Sequence, residues 1–241
     1  ERRGTPLLSY SEIRSAIWKT ATSDVNGIKK LNPYKVQVQA ILEPLKVRMI
    51  SKGETLPYWV SRVFQKKLWK HMQKFPQFSL TGRPMDASDL YDILEKEKEL
   101  EIDTSNYCWV SGDYSAATDN IESSFTKLAF ETALLHSGLN FKDQEILRGV
   151  IYEQKLHYPS VKQPGGGFYP PIDPVMQTQG QLMGSTLSFP ILCIINLLAY
   201  SRAMKRRYPN LYFSLKDLPV KINGDDILFR ADTELYDIWQ E

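Results

Sequence analysis

The sequence predicts an α+β fold in which a sheet is faced by helices. Helix-period and strand-period segments alternate along the chain, a hairpin closes the series, and no internal repeat or low-complexity tract interrupts it. The 241 residues suffice for one large domain or two small ones. With 42% hydrophobic and 24% charged residues, disorder, collagen and coiled coil are excluded for the chain as a whole.

Each element follows from a local signal. Residues 9–21 read as a helix capped by Ser9 or Ser11. Residues 34–50 begin with alternation and change at Pro44, which predicts strands with a bend. Residues 57–74 predict a helix: Pro57 suits the first turn, and Val60, Val63, Phe64, Leu68 and Met72 recur at helical spacing with basic residues between them. Residues 86–100 predict a second helix, acidic first, as the helix dipole favours. Residues 107–113 read as a buried strand ending in Asp113. Asn120 to Gly138 predicts one long amphipathic helix with Gly138 as its C-cap, and 142–153 a further helix. The Pro- and Gly-rich stretch 155–180 predicts a loop or hairpin. Leu187 to Arg207 predicts a mostly apolar helix with a basic end. Residues 219–230 predict a hairpin turning at Asn223-Gly224, and a last helix begins at Thr233.

The net charge of +2 conceals an asymmetry. Residues 1–83 hold 16 Lys+Arg against 5 Asp+Glu; the remainder hold 14 against 23. A basic third suits polyanions, and an acidic remainder suits either a solvated surface or a cation site. Cys108 and Cys193 are too few for a disulfide framework or a cysteine zinc site. His71, His136 and His157 are scattered without metal-ligand spacing. The apolar run Phe189 to Tyr200 is too short to span a bilayer, and the opening Glu1-Arg2-Arg3 predicts no cleavable signal. A start without Met and an end inside a nascent helix read as a segment of a longer protein.

Four motifs carry chemistry. In Ile222-Asn223-Gly224-Asp225-Asp226 the Gly and one acid suffice for a tight turn. Two adjacent carboxylates repel, and a divalent cation would neutralise them. In Ser111-Gly112-Asp113-Tyr114-Ser115-Ala116-Ala117-Thr118-Asp119-Asn120, Asp119 reads as a helix N-cap. Asp113, closing a strand read as buried, needs a partner, and the cation of Asp225 would serve. Gln179 to Pro190 is a glycine-bearing loop entering a helix, suited either to Ser185 or Ser188 as N-cap or to close backbone approach by a substrate. In residues 43–53, even spacing puts Lys46, Arg48 and Lys52 on one side of an extended segment. They suit an edge-strand guard or a triphosphate clamp.

In this order the four motifs resemble motifs F (43–53), A (111–120), B (179–196) and C (222–229) in the palm of RNA-dependent RNA polymerases. Asp-Tyr-Ser-Ala-Ala-Thr-Asp resembles the ourmiavirus, narnavirus and RNA-phage branch of positive-strand RNA viruses, and Gly-Gln-Leu-Met-Gly-Ser followed by Ser-Phe-Pro points to ourmia-like viruses, mycoviruses among them. The resemblance implies a palm-type core, a small antiparallel sheet backed by helices, within 106–241. It implies a fingers-like basic region in 1–105, some fingers elements between motifs A and B, and a missing thumb, so that the segment alone is inactive. It implies template-directed RNA synthesis with two Mg²⁺ ions, replaceable by Mn²⁺, held by Asp113 and Asp225 with Asp226 as accessory ligand. Asp119 would accept from the ribose 2′-hydroxyl, and Lys46, Arg48 and Lys52 would hold the triphosphate. Gly180, Gly184 and Ser185 would form the loop beside the template and nascent pair, with Ser188 facing the nucleotide. Many family members carry an Asn where Leu192 stands here; Asn196, one turn on, is the nearest candidate. The family's general-acid lysine falls beyond Glu241, and Lys221 and Arg230 are not its substitutes. Implied partners are template RNA, nascent RNA and NTPs, without a membrane span, in the host-cell cytoplasm with the mitochondrion as alternative.

Two rivals stand beside this. A reverse transcriptase shares the palm, but Asp119 and Gly224 are not the residues it generally places there. A noncatalytic RNA-binding module needs the basic region but no gathered acids.

Overall fold

The computed structural model describes residues 8–20, 22–25 and 28–241, so the opening Glu1-Arg2-Arg3 lies outside the described residues. In chain order come α1 (Tyr10–Thr20), β1 (Thr22–Val25), β2 (Ile28–Leu31), β3 (Lys35–Glu43), β4 (Lys46–Lys52) and α2 (Thr55–Met72). A 3₁₀ segment (Pro76–Thr81), α3 (Ala87–Glu99), β5 (Cys108–Gly112), α4 (Ala117–Asn120), α5 (Ser123–Leu135) and α6 (Phe141–Ile151) follow. The chain continues through β6 (Lys155–His157), β7 (Val175–Met176), α7 (Ser188–Arg207), β8 (Val220–Asn223), β9 (Asp226–Ala231) and α8 (Thr233–Gln240). Among the described residues no helix is long and apolar enough to cross a membrane. Contacts divide the chain into two units: Glu1–Gln65 with Thr118–Ser188, and Lys66–Ala117 with Phe189–Glu241.

In the first unit α1 starts on a reciprocal cap. Ser9 Oγ accepts from the Glu12 amide at 3.3 Å while the Glu12 carboxylate accepts from the Ser9 amide at 2.7 Å, so Ser9 and not Ser11 is the cap. The strands expected with a bend at Pro44 form a full antiparallel hairpin from Glu43↔Lys46 to Gln37↔Lys52. Leu45 takes a left-handed φ of +62° in the turn. The sheet order is β4-β3-β6-β7, with β3 and β6 parallel and the other pairs antiparallel. The buried residues of this unit include Tyr34, Val36, Phe64, Phe130, Leu134, Ile146 and Val150, and Phe64 meets Phe130 edge-on at 6.2 Å. The helix expected from Asn120 to Gly138 is interrupted. Glu122 is extended (φ −63°, ψ 135°) and is the N-cap position of α5, so α4 and α5 are separate, and Asp119 lies within α4 rather than at its start.

The second unit is built on an antiparallel sheet of order β5-β9-β8. Met72, Phe78, Leu197, Tyr200, Met204, Ile222, Ile227, Phe229 and Leu235 are among its core, fed by the apolar faces of α7 and α8 and the inward positions of β8 and β9. β5 was expected to be buried. It is an edge strand with Cys108, Trp109 and Ser111 exposed, because β9 takes the centre and leaves β5 paired on one side only. The β8–β9 turn is also one residue later than expected. Asn223 pairs with Asp226, so Gly224 and Asp225 form the loop. Gly224 has a φ of +75° and Asp225 does not adopt a positive φ, the pattern of a type II′ turn.

Buried charge ties α3 to this sheet. Lys221, 3% exposed, donates to Asp92 at 2.6 Å and to the Pro76 carbonyl at 2.9 Å, and lies 3.6 Å from Asp89. Asp89 also accepts two bonds from Arg83 at 2.7 and 2.8 Å. Arg230 reaches the buried Glu97. Lys221 and Arg230 are therefore occupied in the frame.

Candidate active site

Three carboxylates meet at one end of the β5-β9-β8 sheet. Gly112, the last residue of β5, pairs with Ile227, so Asp113 and Asp226 follow one step further at the same end. Asp225 is in the adjoining turn. Partial desolvation, then the charges of Asp225 and Asp113, raise the Asp226 carboxyl above the ordinary aspartate range. Among the described residues, none of the three makes an ion pair.

The neighbouring side chains explain how these acids are placed. A Cβ at Gly112 would lie 2.6 Å from Trp239 of α8, so only glycine lets this indole close over the end of β5. Trp239 also packs on Tyr114 (5.6 Å between ring centroids) and Phe229 (5.2 Å), so it meets the residues on either side of Asp113 in the chain, Gly112 and Tyr114. From the other side α7 grips the turn with Phe189, Cys193 and Asn196, one face at i, i+4 and i+7. A Cβ at Gly224 would sit 3.0 Å from the Phe189 ring. The Gly224 amide donates to Cys193 Sγ at 3.2 Å, and burial pushes that thiol up to about 12. Asn196, 2% exposed, donates to the carbonyls of Gly224 (3.1 Å) and Asp225 (3.2 Å) and accepts from the Tyr114 hydroxyl at 3.2 Å.

The first unit holds the other expected residues. Asp119 is exposed on α4. The amides of Gly180 and Gln181 donate to Ile121 (3.1 Å) and Thr118 (2.6 Å), so the glycine loop straddles Asp119. Gly180 has a φ of +72°, and a Cβ there would meet the Thr118 carbonyl at 2.5 Å. Ser51 of β4 donates twice to the Met183 carbonyl, from its amide at 2.6 Å and its hydroxyl at 2.7 Å. The adjoining Gly184 has its backbone so close to Ser51 that a Cβ would lie 2.2 Å from the Ser51 carbonyl oxygen. Ser185 Oγ donates to Val150 (2.9 Å) and Ser188 Oγ to Leu182 (3.0 Å); both serines are buried, so their hydroxyls fasten the loop. Lys46, Arg48 and Lys52 are exposed on β4, and Arg48 pairs with Glu43 at 2.7 Å.

The structure thus gathers Asp113, Asp225, Asp226 and Asn196 in one unit, and Asp119, Gly180, Gly184, Ser185, Ser188 and the β4 cations in the other. Tyr114, Cys193, Gln181 and Trp239 were not singled out from the sequence. Each acts through a partner distant in the chain, so no local pattern marked it. The donor set, three carboxylates without cationic partners, fits a hard divalent cation in kind. Among the described residues no group of three His, Cys, Asp or Glu is drawn in tightly enough to hold a metal ion.

No protein-family model matches the chain. Over 208 residues it is 31% identical to the RNA-dependent RNA polymerase of Ourmia melon virus (isolate Melon/Iran/VE9). The chain is similar to an ourmiavirus RNA-dependent RNA polymerase. That match covers 85% of this chain and 24% of the viral protein, so the chain spans about a quarter of its curated relative. Solved structures give the fold. The RNA-dependent RNA polymerase of a human picorbirnavirus (insertion-loop deletion mutant) superposes with a TM-score of 0.57 at 12% identity, covering 91% of this chain and 41% of that one. Telomerase from Candida albicans, in complex with a fragment of telomeric RNA, gives 0.53 at 14% identity over 95% and 41% of the two chains. Telomerase from Candida tropicalis gives 0.54 at 14% over 86% and 45%. The fold is a palm-type polymerase core.

Proposed function

We propose that this chain supplies the palm centre, within 106–241, and a basic fingers-like region, within 1–105, of an RNA-directed RNA polymerase that copies the genome of an ourmia-like virus in the host-cell cytoplasm. The observation that carries this reading is the meeting of Asp113 with the Gly224-Asp225-Asp226 turn at one end of a single sheet. Asp113 and Asp225, with Asp226 as accessory, are the residues to hold two Mg²⁺ or Mn²⁺ ions. Such ions, held there, would supply activation of the primer 3′-hydroxyl and neutralisation of phosphate charge. Asp119 accepts from the 2′-hydroxyl of the incoming ribose, selecting NTP over dNTP. Lys46, Arg48 and Lys52 receive the triphosphate. The Arg48–Glu43 pair, about 40% exposed on both sides, is worth only about 0–1 kcal/mol, so exchanging it for phosphate costs little. Gly180, Gly184 and Ser185 shape the loop beside the template, and Ser188 holds that loop from within.

The test is primer extension by the full polypeptide carrying these residues, on an RNA template with Mg²⁺ and either NTPs or dNTPs. Extension with NTPs alone, lost in Asp225→Asn, is the expected result. Wild-type extension by Asp225→Asn refutes the acid assignment. Extension with dNTPs moves the protein to the reverse transcriptases, and RNA binding indifferent to divalent metal, without extension, moves it to the noncatalytic modules.

A further inference from the structure

The geometry points to Asn196 as a positioning residue that fixes the catalytic turn against the strand carrying Asp113, an inference that rests on the polymerase reading above. Both amide hydrogens of Asn196 are committed to main-chain carbonyls of the turn, Gly224 at 3.1 Å and Asp225 at 3.2 Å. Its carbonyl accepts from Tyr114, the residue after Asp113, at 3.2 Å. One buried side chain therefore touches both segments that bear the acids, and its amide nitrogen already donates to the turn. Cys193 and Phe189 add a third bond and a steric stop on the same helix face.

This arrangement does something a turn cannot do alone. A two-residue loop is held by its flanking pair, here Asn223↔Asp226, and its peptide planes are otherwise free to rock. Tying the Gly224 and Asp225 carbonyls to a rigid helix fixes the direction in which the Asp225 side chain leaves the backbone. Tying the same amide to Tyr114 sets the level of Asp113 against it. Two carboxylates that repel one another need such restraint before any cation arrives. Outer-shell partners of this kind typically change metal affinity about 10–100-fold when removed.

The test measures Mn²⁺ binding by electron paramagnetic resonance in the full polypeptide, beside circular dichroism and primer extension. Asn196→Leu keeps the number and branching of side-chain heavy atoms and removes all three bonds. The expected result is a Mn²⁺ midpoint raised about tenfold with kcat reduced and the NTP KM within about twofold of wild type. A merely structural asparagine would lower the melting temperature and leave the midpoint of the folded fraction in place. A folded Asn196→Leu with an unchanged midpoint overturns the inference. Should that variant fail to fold, Tyr114→Phe decides, since it deletes one hydroxyl: a midpoint raised about threefold supports the tie to Asp113, and an unchanged one removes it. Asp225→Asn is the reference. If it leaves wild-type Mn²⁺ binding intact, the metal assignment of the polymerase reading fails and the clasp fails with it, a result distinct from an Asp225-dependent midpoint that ignores Asn196.

Discussion

Replacing Gly180 by alanine puts a methyl group where the structure has no room for one. The new Cβ would stand 2.5 Å from the Thr118 carbonyl oxygen, 2.9 Å from that of Asp119 and 3.2 Å from the Asp119 Cα, all backbone atoms that cannot swing aside. The φ of +72° adds about 1–2 kcal/mol for any L-residue with a side chain. Relieving the clash pulls apart the bonds from Gly180 to Ile121 (3.1 Å) and from Gln181 to Thr118 (2.6 Å), at about 1 kcal/mol each. The sum, about 3–4 kcal/mol, is a large share of the roughly 5–15 kcal/mol that holds a folded protein together. It corresponds to a fall in melting temperature of about 10 °C. Gly165→Ala is the control: it has open space around it and no left-handed φ, so its effect stays within about 0.5 kcal/mol. On the proposed role of Asp119 in sugar selection, the displaced segment carries that residue, so Gly180→Ala should also weaken NTP-over-dNTP discrimination in primer extension by the full polypeptide while Gly165→Ala leaves it alone. A Gly180→Ala protein that melts with the control and discriminates sugars as wild type does would refute the account of how Asp119 is held.

Three further outcomes follow from buried groups. Lys221→Met takes the donors from the Pro76 carbonyl and from Asp92, while Asp89 keeps Arg83, so urea unfolding should show a loss of about 2–3 kcal/mol; wild-type stability would contradict the buried network. Burial opposes ionisation of Asp89, but Arg83, the Asp86 amide, Ser79 and Lys221 outweigh it and hold the carboxyl at about 2. A depressed folded-state value means stability that is present above about pH 4 and lost as pH falls through about 2, worth about 2 kcal/mol. Urea midpoints taken from pH 5 to pH 2 should fall in wild type and fall less in Asp89→Asn. Phe130→Ala removes a fully buried ring that packs edge-on against Phe64 at 6.2 Å and Tyr152 at 5.8 Å, and calorimetry should register a loss of about 3–5 kcal/mol.

Much of the palm was legible because its signals are local. Alternating apolar residues around Gly224-Asp225-Asp226 predicted the β8–β9 hairpin, and helical spacing predicted α2 and α7 within two residues at either end. What misled was whatever depends on a distant partner. Cys108, Trp109 and Val110 look like a core strand until β9 is seen to lie on one side only. Asp119 looks like a cap until α4 is seen to begin at Ala117 and α5 to start after Glu122. Asn196 was legible only as the nearest candidate for an asparagine expected where Leu192 stands; its partners lie 28, 29 and 82 residues away, and no window of sequence reports them.

The spacing of Phe189, Cys193 and Asn196 makes α7 a ruler laid along the turn. An α-helix advances about 1.5 Å and rotates about 100° per residue. Deleting or inserting a single residue between Phe189 and Asn196 would leave composition almost untouched, yet it would swing the asparagine a quarter-turn away from the carbonyls it holds. Length in this stretch is therefore far less negotiable than side-chain identity at its outward positions, such as Leu198 and Ala199. The opposite holds around Gly165, Gly166 and Gly167, where added atoms meet nothing within 4 Å. Insertions and deletions among relatives of this chain should accumulate in that glycine stretch and stop short of the helix.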